Sequence, residues 1–231
     1  MATSGTYTFS VTRNDIIGAS LRLLEVYGAG ETIQADDITN CSQALNILVK
    51  EMVISGMPLW TVNEITVGMT SGVSQYSIGL ASSQPRPLKI LQAFIRDANN
   101  QDTMLEVLSR YDFNTLGYKE ESGIPNQLYY DPQIGSGIIT LFNVPSDSTS
   151  TIHLVIQRQI QDFSTASNTP DLPQEAYRML KWCLAEEIAL EYGAKEKSIA
   201  LIAMKAKQLR DDFMSFEQET ASVYFAPNVR S

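Results

Sequence analysis

The sequence predicts an α+β fold: a helical bundle built from long helices at both ends of the chain, a central and mostly antiparallel β module, and an extended C-terminal tail. Three observations carry this. Apolar residues recur at helical spacing in the first sixty and last seventy residues. Between them lie short runs of β-branched and aromatic residues separated by turn-forming clusters. The densest such stretch reads Ser122-Gly-Ile-Pro-Asn-Gln-Leu-Tyr-Tyr-Asp131, a Gly-Ser-Gly turn, Ile138-Ile-Thr-Leu-Phe-Asn-Val-Pro145 and Ile152–Ile156. It predicts a three-stranded meander handed directly to a helix begun by Leu172-Pro173.

Taken in order, residues 1–10 are expected to be a flexible arm. Thr12 caps the first helix, reinforced by Asp15 three residues on. Ile16, Ile17, Ala19, Leu23, Leu24 and Tyr27 mark its apolar face, and Gly28 ends it. A second helix is expected from about Ala35 to Ser55, with the stripe Ile38, Cys41, Leu45, Leu48, Met52 and Val53. The short link between the two predicts an antiparallel helical hairpin over residues 1–58.

The β module is expected over 59–163. Glu64–Thr70 and Val73–Ile78, separated by a Thr-Ser-Gly turn, carry a hairpin signature. Leu88–Asp97 alternates as a strand does, and Ala98–Asp102 turns it back. Glu106–Leu116 is expected to be a short helix closed by Gly117. Gln127–Tyr130, Gly137–Phe142 and Thr151–Arg158 complete the strands.

The C-terminal helices, 164–220, are expected to join the N-terminal hairpin. Pro173 stands in the first turn of a helix that ends at Gly193. Ala176, Tyr177, Leu180, Leu184 and Ile188 form its core face. The last helix, about Lys195 to Glu219, carries Ile199, Ile202, Ala206, Leu209, Phe213 and Phe216 in a heptad-like seam. Residues 221–231 form the tail.

Composition narrows the function classes. The 231 residues hold 17 basic and 26 acidic side chains, a net charge of −9, which argues against a tight grip on nucleic acid. No apolar run is long enough to span a bilayer, and the N-terminus lacks the basic start and apolar core of a signal peptide, so no membrane is expected. Cys41 and Cys183 are expected to be buried thiols in a reducing compartment. With His153 as the sole histidine, no structural zinc site is expected, and neither metal nor cofactor is called for.

No catalytic set emerges. Asp36-Asp37 and Glu186-Glu187 are adjacent helix residues pointing about 100° apart, so neither pair is expected to converge on one ligand. His153 is placed by strand alternation with Thr151 and Gln157 on the less apolar face. Gly135-Ser136-Gly137 precedes a strand rather than a helix, which favours a β-turn over a phosphate loop. Tyr129-Tyr130 near Arg158 suggests a base-stacking platform or, better, a sheet with aromatics on both faces. Arg86, between two prolines, reads as a solvated cation or a surface anchor. Val223, Tyr224 and Phe225, beyond the last helix, suit folding back on their own domain and docking on another chain about equally.

The chain resembles head-to-tail adaptor proteins of tailed double-stranded-DNA phages, also called tail accessory factors or packaged-DNA stabilisation proteins. The residues carrying the likeness are Asp15-Ile-Ile-Gly-Ala-Ser-Leu-Arg-Leu-Leu24, Ala44-Leu-Asn-Ile-Leu-Val49, Gly56-Met-Pro-Leu-Trp60, Gln75-Tyr-Ser-Ile-Gly79 and Arg86-Pro87. Gly123-Ile-Pro125, Leu128-Tyr-Tyr-Asp131 and Leu172-Pro173 through Leu184-Ala185 to Glu191-Tyr-Gly193 complete it. The resemblance implies a structural virion protein, not an enzyme. It implies a ring, commonly of twelve copies, assembled in the host cytoplasm and bound below the portal protein. The ring would extend the DNA channel, help retain the packaged genome, let double-stranded DNA pass without tight binding, and attach the tail nozzle or tail tube. It further implies a portal or neighbour interface at Phe213, Phe216, Val223, Tyr224, Phe225, Pro227 and Val229. The rival readings are a tail-completion or stopper protein of the same virion, a tail-associated cell-wall hydrolase using Glu25, Glu186 or Glu187, and a nucleic-acid-binding module.

Overall fold

The computed structural model describes residues 3–54, 59–79 and 84–216. The chain is an α+β protein of two compact units: Met1–Trp60 with Gln161–Ser231, and Thr61–Ile160.

In the first unit, α1 (Arg13–Leu23) opens on a complete capping box. The Thr12 hydroxyl accepts from the Asp15 N–H, and the Asp15 carboxylate accepts from the Thr12 N–H at 2.9 Å. The helix ends a turn earlier than Gly28. Leu24 closes it, and Glu25 takes a positive φ of 61°. Its buried face is Ile16, Ile17, Gly18, Ser20 and Leu21, rotated from the expected stripe, which counted Ala19 and Leu23 and omitted Leu21. A long α2 (Ala35–Ile54) buries Cys41, Leu45, Leu48, Met52 and Val53 as expected, and adds Val49.

Pro173 opens a 3-10 turn, Gln174–Ala176, which leads into α4 (Tyr177–Ile188). This helix stops before Gly193, which instead supplies the positive φ of the turn into α5 (Glu196–Phe216). α4 contacts α1, α2 and α5. Three neighbours explain why its buried arc, with Met179, Cys183 and Ala185, is wider than the stripe read from spacing.

The second unit is built on one seven-stranded sheet, in the order β1 (Val62–Gly68), β9 (Thr151–Arg158), β3 (Pro87–Arg96), β4 (Asp102–Leu108), β6 (Gln127–Pro132), β7 (Ser136–Phe142), β2 (Gln75–Gly79). All pairs are antiparallel except β4 with β6. A small parallel pair joins β5 (Ser122–Gly123) to β8 (Val144–Pro145). Ile65 of β1, Ile78 of β2 and residues of every strand between them meet in one apolar core that includes Leu128, Ile139 and Leu154. A sheet whose two ends share one core is curled around it.

Three expectations are corrected here. β1 and β2 form no hairpin; they are the two end strands of the sheet, pairing with β9 and β7. The segment between them is held elsewhere: Met69 N–H donates to Ser150 O, and Gly72 N–H to Pro145 O. The meander stops at the β6–β7 hairpin, because β9 leaves to fill the gap between β1 and β3. Residues 106–108 are strand, not helix. Ser109 then caps the six-residue α3 (Arg110–Thr115) by accepting from Asp112 N–H.

Gly135 lies in the β6–β7 hairpin turn while Ser136 and Gly137 begin β7, and Gly137 has a packing reason. The Tyr130 ring lies where its Cβ would be, with the Tyr130 hydroxyl donating to Pro87 O at 2.5 Å.

Candidate interaction surface

Among the seven residues expected at the interface, Phe213 is buried on the inner face of α5. It lines a mostly apolar hollow of about 230 Å³ with Met179 of α4 and Leu209. Phe213 therefore packs in the core of its own unit. Phe216 ends α5, and its side chain, with Val223, Tyr224, Phe225, Pro227 and Val229, lies outside the described residues.

The outward faces of the long helices carry a surface that spacing alone did not single out. Ile47 and Ile54 on α2, and Leu201 and Met204 on α5, are exposed, from 56% for Leu201 to 84% for Ile54. Each pair shares a helix face, seven and three residues apart, beside the buried stripe. The signal was present in the sequence: these apolar residues fall outside a seam already complete without them.

A second cavity, about 250 Å³, opens between α2, α4 and α5. Leu48 and Met52 give it apolar wall. Glu51, Glu186 and Glu187 line it together with Arg210. The Glu186-Glu187 pair thus borders one space despite its angular separation. Glu186 is committed to Arg210 at 3.1 Å, and Arg210 also reaches Cys183 Sγ at 3.6 Å. Burial pushes the Cys183 thiol up, which keeps it protonated and unreactive. Glu25 pairs with Lys195 at 3.2 Å, both exposed, away from any cavity wall described here.

Asp37 is half-buried, whereas Asp36 is exposed. Asp37 accepts hydrogen bonds from two hydroxyls, Tyr27 and Tyr192, the latter at 2.9 Å. Tyr192 also meets Cys41 Sγ at 3.7 Å. Desolvation, with Cys41 and Asp37 beside it, drives the Tyr192 phenol strongly upward, so it stays a donor. This clamp joins the α1–α2 link to the end of α4 and serves structure.

On the β unit, His153 does share a face with Thr151, and Glu64 of the neighbouring β1 completes a chain. Glu64 Oε1 lies 2.7 Å from Nδ1, and Thr151 Oγ1 lies 3.0 Å from Nε2. The order of acid, imidazole and hydroxyl is that of a nucleophilic triad. Access decides against chemistry: the imidazole is stacked on Phe94 at 4.8 Å and is 7% exposed. Nearby, Arg96 spans Asp102 in a two-pronged pair, holding the Asp102 carboxyl below its usual range.

The two tyrosines of the expected platform are engaged in different places. Tyr129 stacks on Phe113 of α3 at 5.4 Å with Arg110 over it, and Tyr130 turns to Pro87. Arg86 sits beside the Tyr130 hydroxyl and opposes its rise in pKa, which burial causes.

Among the described residues, no group of three or more His, Cys, Asp or Glu is placed to hold a metal ion, and no helix is long and apolar enough to cross a membrane. No protein-family model matches the chain, and no curated protein matches it.

Proposed function

We propose that this protein is a structural component of a phage virion: a head-to-tail adaptor that forms a ring below the portal, extends the DNA channel, helps retain packaged DNA and carries the tail. In this reading the long N- and C-terminal helices form a bundle, and the segment beyond α5 is an extended docking tail. The observation that carries the reading is the exposed apolar surface on α2 and α5. Large aliphatic side chains at Ile47, Ile54, Leu201 and Met204 are costly to leave in water, and a repeated contact between copies is one way to cover them. A head-to-tail contact of this kind closes into a ring when its rotation permits. The net charge of −9 suits a channel wall that DNA must pass without sticking.

The portal contact is assigned to Val223–Val229, whose Val, Tyr and Phe side chains provide apolar anchors at small entropic cost per ring. Twelve weak contacts of this kind act together, because each bound copy raises the effective concentration of the next.

The test is native mass spectrometry of the full chain alone and with portal rings, repeated after deletion of residues 223–231. A monomer that becomes a ring on the portal, and a truncated chain that does not, is the expected result. Full-strength portal binding by the truncated chain removes the tail from the interface. No binding by either chain moves the protein to a more distal tail position.

A further inference from the structure

The ends of the sheet and the start of the chain have complementary needs. β1 is an end strand, pairing with β9 alone among the described residues, so the backbone N–H and C=O groups of its other edge have no ladder partner there. End strands are usually defended by lysine, proline or an inward charge. Val62-Asn-Glu-Ile-Thr-Val-Gly68 has no lysine and no proline, and its one charge, Glu64, is drawn to His153 at 2.7 Å.

The chain also carries an unpaired segment with the pattern of a strand. Residues 6–11 read Thr-Tyr-Thr-Phe-Ser-Val: strict alternation of small hydroxyl residues with aromatic or β-branched ones, at strand period. They have no regular secondary structure, and Tyr7 and Phe9 are 89% and 67% exposed. The arm touches its own unit: Gln174 Nε2–H donates to Tyr7 O at 2.5 Å, and the Phe9 ring lies 6.2 Å from that of Tyr177.

We infer that the arm of one copy adds as an eighth strand to the β1 edge of the sheet of a neighbouring copy. The lengths match, six residues against seven. The faces match as well. Beside β1, Tyr7, Phe9 and Val11 fall next to Ile65 and Val67, which face the apolar core, and Thr6, Thr8 and Ser10 fall beside Glu64 and Thr66. Residues 3–11 span about 30 Å from the Thr12 cap when extended, enough to run alongside the whole of a seven-residue strand. The contact is heterologous, arm to edge, so each copy gives one strand and takes one. The inference rests on the ring reading for the existence of a neighbouring copy; it does not depend on the portal.

Disulfide trapping between singly substituted full chains tests it. A Thr8→Cys chain mixed with a Glu64→Cys or Thr66→Cys chain is expected to give a disulfide-linked pair in high yield, since directly opposed strand residues bring Cβ atoms within disulfide reach. Ser77→Cys on β2, the other end strand, is the control and should give background yield. Separately, deleting residues 3–11 leaves the Thr12 cap in place and should keep the thermal transition while abolishing the growth of mass with concentration. Background yield at Glu64 and Thr66, a higher yield at Ser77, or undiminished association of the deleted chain each overturns the arm contact while leaving a ring. A full chain that stays monomeric at every concentration, alone and with portal rings, overturns the ring reading and the arm contact with it.

Discussion

The two units are stabilised in different ways, and the difference follows from how the chain supplies them. The β unit, Thr61–Ile160, is one continuous segment whose core is almost wholly apolar and lies inside its own curled sheet. The helical unit is assembled from both ends of the chain, and polar ties mark where the ends meet. Arg13 N–H donates to Asn168 O at 2.8 Å, the buried Ser20 hydroxyl donates to Lys181 O at 2.9 Å, and Asn46 bonds both backbone groups of Phe163. Apolar burial fills a core without choosing partners, whereas directed hydrogen bonds fix which distant segments come together. A unit made of remote segments has the greater need of such direction.

The sharpest way to break this contrast is to separate the pieces. A fragment of residues 61–160 should unfold cooperatively, because it retains its whole core. Residues 1–60 alone should be largely unfolded, because the face of α1 that meets α4 is then exposed. Within the β fragment, Leu154→Ala, at a fully buried core position, should cost about 2–5 kcal/mol in urea denaturation. A cooperative 1–60 fragment would erase the distinction.

A smaller effect tests the polar ties. Asp37→Ala leaves the Tyr27 and Tyr192 hydroxyls without their shared acceptor and should cost about 1–3 kcal/mol. Removing Tyr192 as well, as Tyr192→Phe, should add less than its single-mutant cost, because both changes cut the same link. Additive losses would mean that the clamp contributes no coupling.

The smallest effect is local to α1. Thr12→Ala should cost about 1 kcal/mol at neutral pH. The Thr12 hydroxyl and backbone N–H hold the Asp15 carboxyl below its ordinary value of 3.8. A carboxyl whose folded pKa is depressed stabilises the fold above its unfolded pKa and loses that contribution as pH falls through the folded one. The gap between wild type and Thr12→Ala should therefore be full above pH 3.8 and narrow in stronger acid to what the Asp15 N–H bond to the hydroxyl contributes. Thermal melts across that range measure it.

Much of the element list was legible. The capping box at Thr12 and the stripe of α2 were readable because both depend on residues close in sequence. Strands β3, β6, β7 and β9 were found from local alternation and turn residues. Pairing was not. The Thr-Ser-Gly turn between β1 and β2 looked like a hairpin, yet each strand gains more by joining a partner far along the chain. Burial of Ile65 and Ile78 in a common core is satisfied by curling the sheet, without a bond between the two strands. The candidate surface divides the same way. Phe213 continues the buried seam of α5 and went inward, whereas Ile47, Ile54, Leu201 and Met204 are marked by lying outside seams that are already complete.

The sequence by itself determined the α+β class, the starts of α1, α2 and α5, and most strands, because capping, period and turn chemistry act over three to seven residues. Tertiary structure alone decided the order of the seven strands, which hydrogen bonds of Asp37 and Ser20 tie the chain ends, and the shielding of His153 beneath Phe94. Those outcomes depend on contacts between residues as many as 161 apart, as between Ser20 and Lys181, where the gain from shared burial must exceed the entropy of closing the loop and no local pattern records the result.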